Sequence, residues 1–252
     1  PGVTPDQVKE AVDLALEQEQ PERAEALYAR AVEAARESEE GLTGAVWAVL
    51  GLIGRKKVSG DLRGAYELLG EIAEVAEAEK LYEVAMGLAQ AAMEAEEPDL
   101  ELASALYEFL RKMNPTEKEI WGPLYDIYRK LDEPEHLADL VGDLLPALGD
   151  VFLRNELRLK HADYLIETED LPLAVNILRD ALMDEPQNLE ATKLMETAFV
   201  KAGDEEGLRS TAAWALRLVL ALAVPAAVGL VVLGRPLTAL FLQRGAFDAE
   251  DT

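Results

Sequence analysis

Up to about residue 208, apolar positions recur at helical spacing with polar residues between them. Leu157, His161, Tyr164 and Leu165, for example, fall on one stripe of a helix. Ala, Leu and Glu dominate this stretch and β-branched runs are few, so intrinsic preference agrees with the pattern. The stripes are broken every 15 to 22 residues or so by "EQEQPER", "VSGDLRG", "EEPDLE", "MNPTEKE", "LDEPEH", "TEDLP", "DEPQN" and "KAGDEEG". Each breaker joins Pro or Gly to Asp, Asn or Thr, the chemistry that stops one helix and caps the next. The pattern predicts about eleven helices joined by tight turns, with chain neighbours running antiparallel.

The stripes also repeat. Ala24, Ala65, Ala103, Leu137, Ala174 and Leu208 sit near the start of every second helix, at separations of 41, 38, 34, 37 and 34 residues. Four positions later come Tyr28, Leu69, Tyr107, Val141, Leu178 and Ala212, and seven later Ala31, Ile72, Leu110, Leu144, Ala181 and Ala215. Offsets of zero, four and seven share one helix face, with a small residue where two helices approach closely. Pro115 and Pro186 each stand twelve residues after the first position of their repeat, where that helix must stop. The count is five helix pairs plus the first helix of a sixth.

In these positions the chain resembles the tetratricopeptide (TPR) repeats. The first-helix pattern W-x-x-L-G appears as Trp47, Leu50 and Gly51, and again as Trp121 and Leu124, with Tyr125 in place of the glycine and Tyr128 following. The second-helix pattern survives best as Ala24, Tyr28 and Ala31, and "DLPLAVNILRDALMDEP" at 170–186 also fits. Residues 81–96 lack the aromatic and glycine positions. The resemblance covers most of residues 5–208 and implies an all-α, antiparallel helix-pair solenoid, a TPR-like superhelix whose inner helices form a groove for a protein or peptide. Spacing assigns Trp47 and Trp121 to the core, the alternative being a ligand pocket. On the fourth pair Glu119, Asp126 and Arg129 share a helix face beside the Trp121 stripe. On the fifth, Glu156, Leu159 and Asp163 do the same. These six are the partner-binding candidates, and an ordinary solvated face is the alternative for each.

The pattern changes near residue 209. From Leu218 to Gly234 there are 17 consecutive uncharged residues, and the apolar stretch from Thr211 reaches 24 with Arg217 inside it. At 1.5 Å per residue this is about 25 to 36 Å of helix, bracketing a hydrocarbon core of about 30 Å. It is apolar on all sides, whereas a last repeat should turn a polar face to water. A membrane helix is therefore expected over 209–252, with Trp214, Arg217, Pro225 and Gly229 as its membrane residues: Arg217 snorkels to an interface and Pro225 kinks the span. Burial of this stretch as the second helix of the sixth pair is the alternative, and would leave the chain a soluble cytoplasmic protein.

The segment also resembles one span of the MurJ (MviN) lipid II flippases. The resemblance rests on Trp214, Leu216, Arg217 and Leu218, then Pro225, Ala226, Ala227 and Val228, then Pro236, Leu237, Phe241, Gly245, Ala246 and Phe247. It implies an inner-membrane location with the preceding repeats in the cytoplasm, in a bacterium that makes peptidoglycan. A flippase alternates two helical bundles around a cavity, which one span cannot build. The resemblance therefore implies a fragment or fusion of such a flippase, not competent for transport by itself.

Charge follows the same division. Residues 209–252 carry a balance of +1, and the preceding residues hold 20 basic against 46 acidic groups, or −26. That acidity excludes a nucleic-acid partner, which needs a basic stripe, and favours a basic one. There is no cysteine, so no disulfide or thiolate chemistry. The opening "PGVTPDQVKEAV" has no apolar run behind a basic start, so no secretory signal is expected in it. His136 and His161, 25 residues apart on different helices with no third ligand indicated, suit structural roles better than metal or catalytic ones. No phosphate loop, G-x-S-x-G elbow or EF-hand loop occurs. "ESEEG" and "EAEEPDLE" read as solvated helix ends, since weak Ca²⁺ binding would need fixed spacing and a turn glycine. No enzyme, cofactor or metal is expected.

Overall fold

The computed structural model describes residues 5–39 and 41–203, and beyond them residues 207, 209, 213, 217, 220, 223–225 and 228. Its elements are α1 (Pro5–Glu17), α2 (Pro21–Arg36), a short 3-10 turn (Gly41–Ala45), α3 (Val46–Ser59), α4 (Leu62–Ile72), α5 (Ala78–Glu94) and α6 (Leu100–Met113). There follow α7 (Lys118–Leu131), α8 (Pro134–Ala147), α9 (Val151–Glu167), α10 (Leu171–Asp184) and α11 (Leu189–Ala202). Among the described residues the protein is all-α, with five helix pairs and a further first helix, as the breakers predict.

Among the described residues, four of the five side-chain caps come from the breakers, and Asp150 is the one outside them. Asp61, Asp99, Asp150, Asp170 and Asn188 each accept a hydrogen bond from the backbone N–H three residues on, capping α4, α6, α9, α10 and α11. Gly60 (φ +85°) and Gly203 (φ +65°) close α3 and α11 in the left-handed region, which a residue with a Cβ enters at a cost. Pro21, Pro134 and Pro172 stand in the first turns of α2, α8 and α10, where a missing N–H is harmless.

The chain forms two compact units, residues 1–148 and 149–252. In the first, successive helices from α1 to α8 pack on one another, and α3 also meets α5 directly. In the second, α10 packs on both α9 and α11, and α9 and α11 meet each other. The break falls within the repeat stretch, between Pro146 near the end of α8 and the Asp150 cap of α9. The sequence boundary at 208/209 lies beyond the last complete helix described.

The repeat columns are the core. Ala24, Ala65, Ala103, Leu137 and Ala174 are fully buried, as are Leu69, Leu178, Ile72, Leu110 and Ala181. Leu208, Ala212 and Ala215, the last members of the three columns, lie outside the described residues. Burying each large aliphatic member contributes roughly 1.5–3 kcal/mol. Close approach is visible at Gly51 of α3, where an added Cβ would stand 2.3 Å from the Tyr28 ring of α2. The TPR-like first-helix glycine and second-helix aromatic thus meet. Residues 81–96, which lack those signature positions, still form α5 and pack through Leu81, Ala85, Leu88, Ala89 and Ala92.

Polar ties repeat with the same period. Arg36 bonds Glu71 (2.5 Å, 35 residues on), Arg63 bonds Asp99 (2.8 Å, 36 on) and Tyr82 donates to Glu117 (2.6 Å, 35 on). Arg111 bonds Asp143 (3.1 Å, 32 on), and Lys201 donates to the carbonyl of Ile166, 35 residues back (3.0 Å). Each tie links a helix to its counterpart in the next repeat or to the cap beside it. Most are exposed and worth at most about 1 kcal/mol apiece, so they set register more than they stabilise.

Candidate functional site

The second unit holds the clearest groove. α9 is started by Asp150, whose carboxylate accepts from the Leu153 N–H (3.0 Å). It buries Asn155, Leu157, Leu159, His161, Ala162, Tyr164, Leu165 and Ile166, more of its circumference than a surface helix does. α11 is started by Asn188, which accepts from the Ala191 N–H (2.9 Å) while its amide donates to Glu185 (2.7 Å). Between α9 and α11 lies a cavity of about 390 Å³ lined by Glu156, Leu159, Lys160, Asp163, Glu190 and Leu194. A second, of about 170 Å³, adds Phe152, Asn155, Glu185 and Asn188 and shares Glu156, Leu159 and Glu190 with the first. The shared walls make one continuous groove, with the exposed Phe152 ring at one end.

Two of the cations of α9 are turned away from this groove. Arg154 and Arg158 both reach back to Asp184 of α10, at 2.8 and 2.7 Å, and Arg158 also donates to Asn155 (3.0 Å). The two guanidiniums hold the Asp184 carboxyl below its ordinary range, Arg158 contributing most. Asn155 is buried and donates weakly to the Ala181 carbonyl (3.4 Å), fixing α9 on α10. What remains along the groove is Glu156, Asp163, Glu185 and Glu190 against Lys160. Glu156, Lys160 and Asp163 also have polar interactions within the protein.

The sequence candidates divide between the two units. Glu156, Leu159 and Asp163 line one cavity together. Glu119, Asp126 and Arg129 lie on α7 in the first unit. Glu119 is exposed, Asp126 and Arg129 are half-buried, and the latter two already have polar interactions. Glu119 acts on Tyr82, whose hydroxyl donates to Glu117 and whose pKa is pushed up to about 12, mainly by that bond. Reading single helices missed Phe152, Glu190 and Leu194. The repeat count did carry a signal for the α11 pair, because successive first helices stack and α11 must face α9.

Trp121 is core, with 1% of its surface exposed and no partner for its indole N–H. Trp47 is half-buried against Val12, Ala15 and Ala24, with the Lys9 ammonium 5.3 Å from its ring centre and the Tyr28 ring 6.0 Å away. It also borders an apolar cavity of about 270 Å³ beside α1 and α2. His161 is buried, stacked on Tyr164 at 6.0 Å, and burial pushes its pKa down to about 4 against the pull of Asp170. His136 is exposed at the start of α8, stacked on Tyr128 at 5.3 Å with Nδ1 3.2 Å from Glu133.

Of the membrane residues, Trp214 and Gly229 lie outside the described residues. Arg217 and Pro225 are helical and exposed. Leu220, Val224 and Val228 are helical too, at four-residue spacing, and each is at least half exposed. Among the described residues no helix is long and apolar enough to cross a membrane.

A family model for the lipid II flippase MurJ matches residues 196–252, beginning inside α11. No curated protein matches the chain. Among solved structures the chain is similar to a thermophilic TPR protein of Thermus thermophilus, at 19% identity and a TM-score of 0.38, covering 77% of this chain and 98% of that one. It is also similar to BtubC (BKLC) from P. vanneervenii, at 18% identity and a TM-score of 0.43, covering 81% of this chain and 92% of that one. The helix pairs are thus followed by a segment that matches a flippase family model.

Proposed function

We propose that this chain is a non-catalytic interaction scaffold, taking a protein or peptide segment in the α9–α11 groove and held at a membrane by the helix after α11. The observation that carries the reading is the division of charge around α9: Arg154 and Arg158 are held by Asp184, while Glu156, Asp163 and Glu190 outnumber Lys160 along the groove around Leu159 and Leu194. A segment with alternating basic and apolar side chains fits such walls. Glu119, Asp126 and Arg129 would serve as a separate contact on the first unit. Nucleic acid is disfavoured as a partner by the −25 charge.

The test is the fluorescence anisotropy of a labelled peptide of alternating Lys and Leu added to the full chain in mild detergent. Saturable binding is expected, weakened about tenfold by Glu156→Lys with Glu190→Lys and eased by added salt. Binding unchanged by the double reversal would overturn the assignment of the groove.

A second reading is favoured by the family match over 196–252. In it, residues 209–252 are a fragment of a MurJ-type flippase, devoted to peptidoglycan precursor transport but not competent alone. Both readings place the chain at the inner membrane, with membrane lipid as a partner of Arg217, Pro225 and their neighbours and with the acidic repeats in the cytoplasm. They part on company: a flippase lacking this span that regains lipid II flipping only when the chain is supplied beside it would favour the second, and no such rescue would leave the first.

A further inference from the structure

Half-buried Trp47 stands at an aromatic corner at the start of the first unit. The Tyr28 ring of α2 is 6.0 Å from it, tilted by 56°, and the Lys9 ammonium of α1 is 5.3 Å from its ring centre. The ion pair of Lys9 with exposed Asp6 is long, at 3.9 Å. Asp6, Lys9 and Asp13 follow one another at helical spacing and share one face of α1, which therefore carries two carboxylates against one ammonium. Trp47 also borders the apolar cavity of about 270 Å³, whose walls include Pro5 and Val8 of α1 and Ala31 and Ala35 of α2. None of the described residues lining that cavity is charged.

From this we infer that the Trp47 corner is a binding site for a small quaternary ammonium compound with a short apolar tail, and that the Lys9 ammonium is the group it displaces. The negative face of an aromatic ring attracts a cation, and the position of Lys9 shows that this ring is open to one. A trimethylammonium group has methyls where lysine has strongly hydrated N–H donors, so it loses less on leaving water for the ring. Asp6 and Asp13 supply the opposite charge, and the tail enters the cavity beside the same ring. Arg55 does not cancel that charge at Trp47. It lies eight residues further along α3, about 12 Å on the helix axis, and at physiological salt charges beyond about 8 Å are largely screened.

The inference does not rest on the α9–α11 reading, whose groove lies in the other unit. Its test is calorimetric titration of the full chain, in a non-ionic maltoside detergent, with hexyltrimethylammonium. Tetramethylammonium, which lacks the tail, and hexylammonium, which lacks the methyls, are titrated beside it. Two variants are compared: Lys9→Ala removes the competing ammonium from an exposed position, and Trp47→Leu removes the ring. Far-UV circular dichroism confirms that each keeps its helices. Hexyltrimethylammonium is expected to bind saturably and about fivefold or more tighter than either comparison compound. Lys9→Ala is expected to tighten its binding about threefold, and Trp47→Leu to weaken it about tenfold. Absence of saturable binding, equal affinity for hexylammonium, or a Lys9→Ala affinity unchanged or weaker would overturn the inference, as would a folded Trp47→Leu that binds as the parent does. Should Trp47→Leu lose its helices, the Lys9→Ala result decides alone.

Discussion

Buried among α9 and its neighbours, His161 is neutral at pH 7, and this gives the second unit an acid sensitivity. Its pKa falls from an ordinary 6.5 to about 4 on folding, so the unfolded chain takes up the proton first. The contribution is complete above about pH 7, declines as pH drops through 6.5, and levels off near 4, a loss of no more than about 3 kcal/mol. Urea midpoints at pH 7 and pH 4.5 check it: His161→Phe, which keeps a ring against Tyr164, is expected to show a shallower pH dependence than the parent. Equal slopes would contradict the assignment. Gly51 gives a second residue-scale test. Gly51→Ala is expected to destabilise by roughly 1–3 kcal/mol despite the higher helix propensity of Ala, because the Tyr28 ring must move. Tyr28→Leu should relieve part of that cost in the double variant. The sequence marks both positions as pattern members, but the burial of His161 and the contact distance at Gly51 depend on neighbours a stripe does not identify.

At the scale of elements, most of the fold is legible because local chemistry and tertiary packing agree. Asp61, Asp99, Asp170 and Asn188 stand in the sequence breakers and cap the helices that follow, and Asp150 caps α9 from a turn outside them. Asp99 also receives Arg63 from the preceding repeat, which with the Leu102 N–H holds its carboxyl below the ordinary range. Asp99→Ala is expected to cost about 1–2 kcal/mol in a denaturant titration, more than Asp170→Ala, whose cap bond is longer at 3.4 Å. In the core column, Leu110→Ala is expected to cost 2–5 kcal/mol or so. α5 shows where motif reading stops: without the signature aromatic and glycine it still folds, since leucines and alanines at the right spacing suffice to bury a face. The groove was half legible for the same reason. Glu156, Leu159 and Asp163 share a helix, whereas Glu190 and Leu194 join them only through the stacking of α11 on α9.

For the whole molecule, packing that runs mainly between chain neighbours makes stability nearly a sum of local terms, and the ties of about 35 residues keep the repeats in step. The division at 148/149 is not written in the repeat spacing, which continues through it; Pro146 and Gly149 are ordinary turn residues until the packing on either side is known. Composition separates the acidic repeats from the apolar stretch beyond them more plainly than any motif does. The central claim is that a water-soluble helix-pair scaffold is tethered by that stretch. Its most direct measurement is flotation with lipid vesicles of the full chain and of residues 1–208, each checked for helicity. The account predicts that the full chain floats with the vesicles, resisting salt and carbonate, while residues 1–208 stay in the aqueous layer with a cooperative melt. A full chain that remains in the aqueous layer, dissolved and monomeric without detergent, would contradict it.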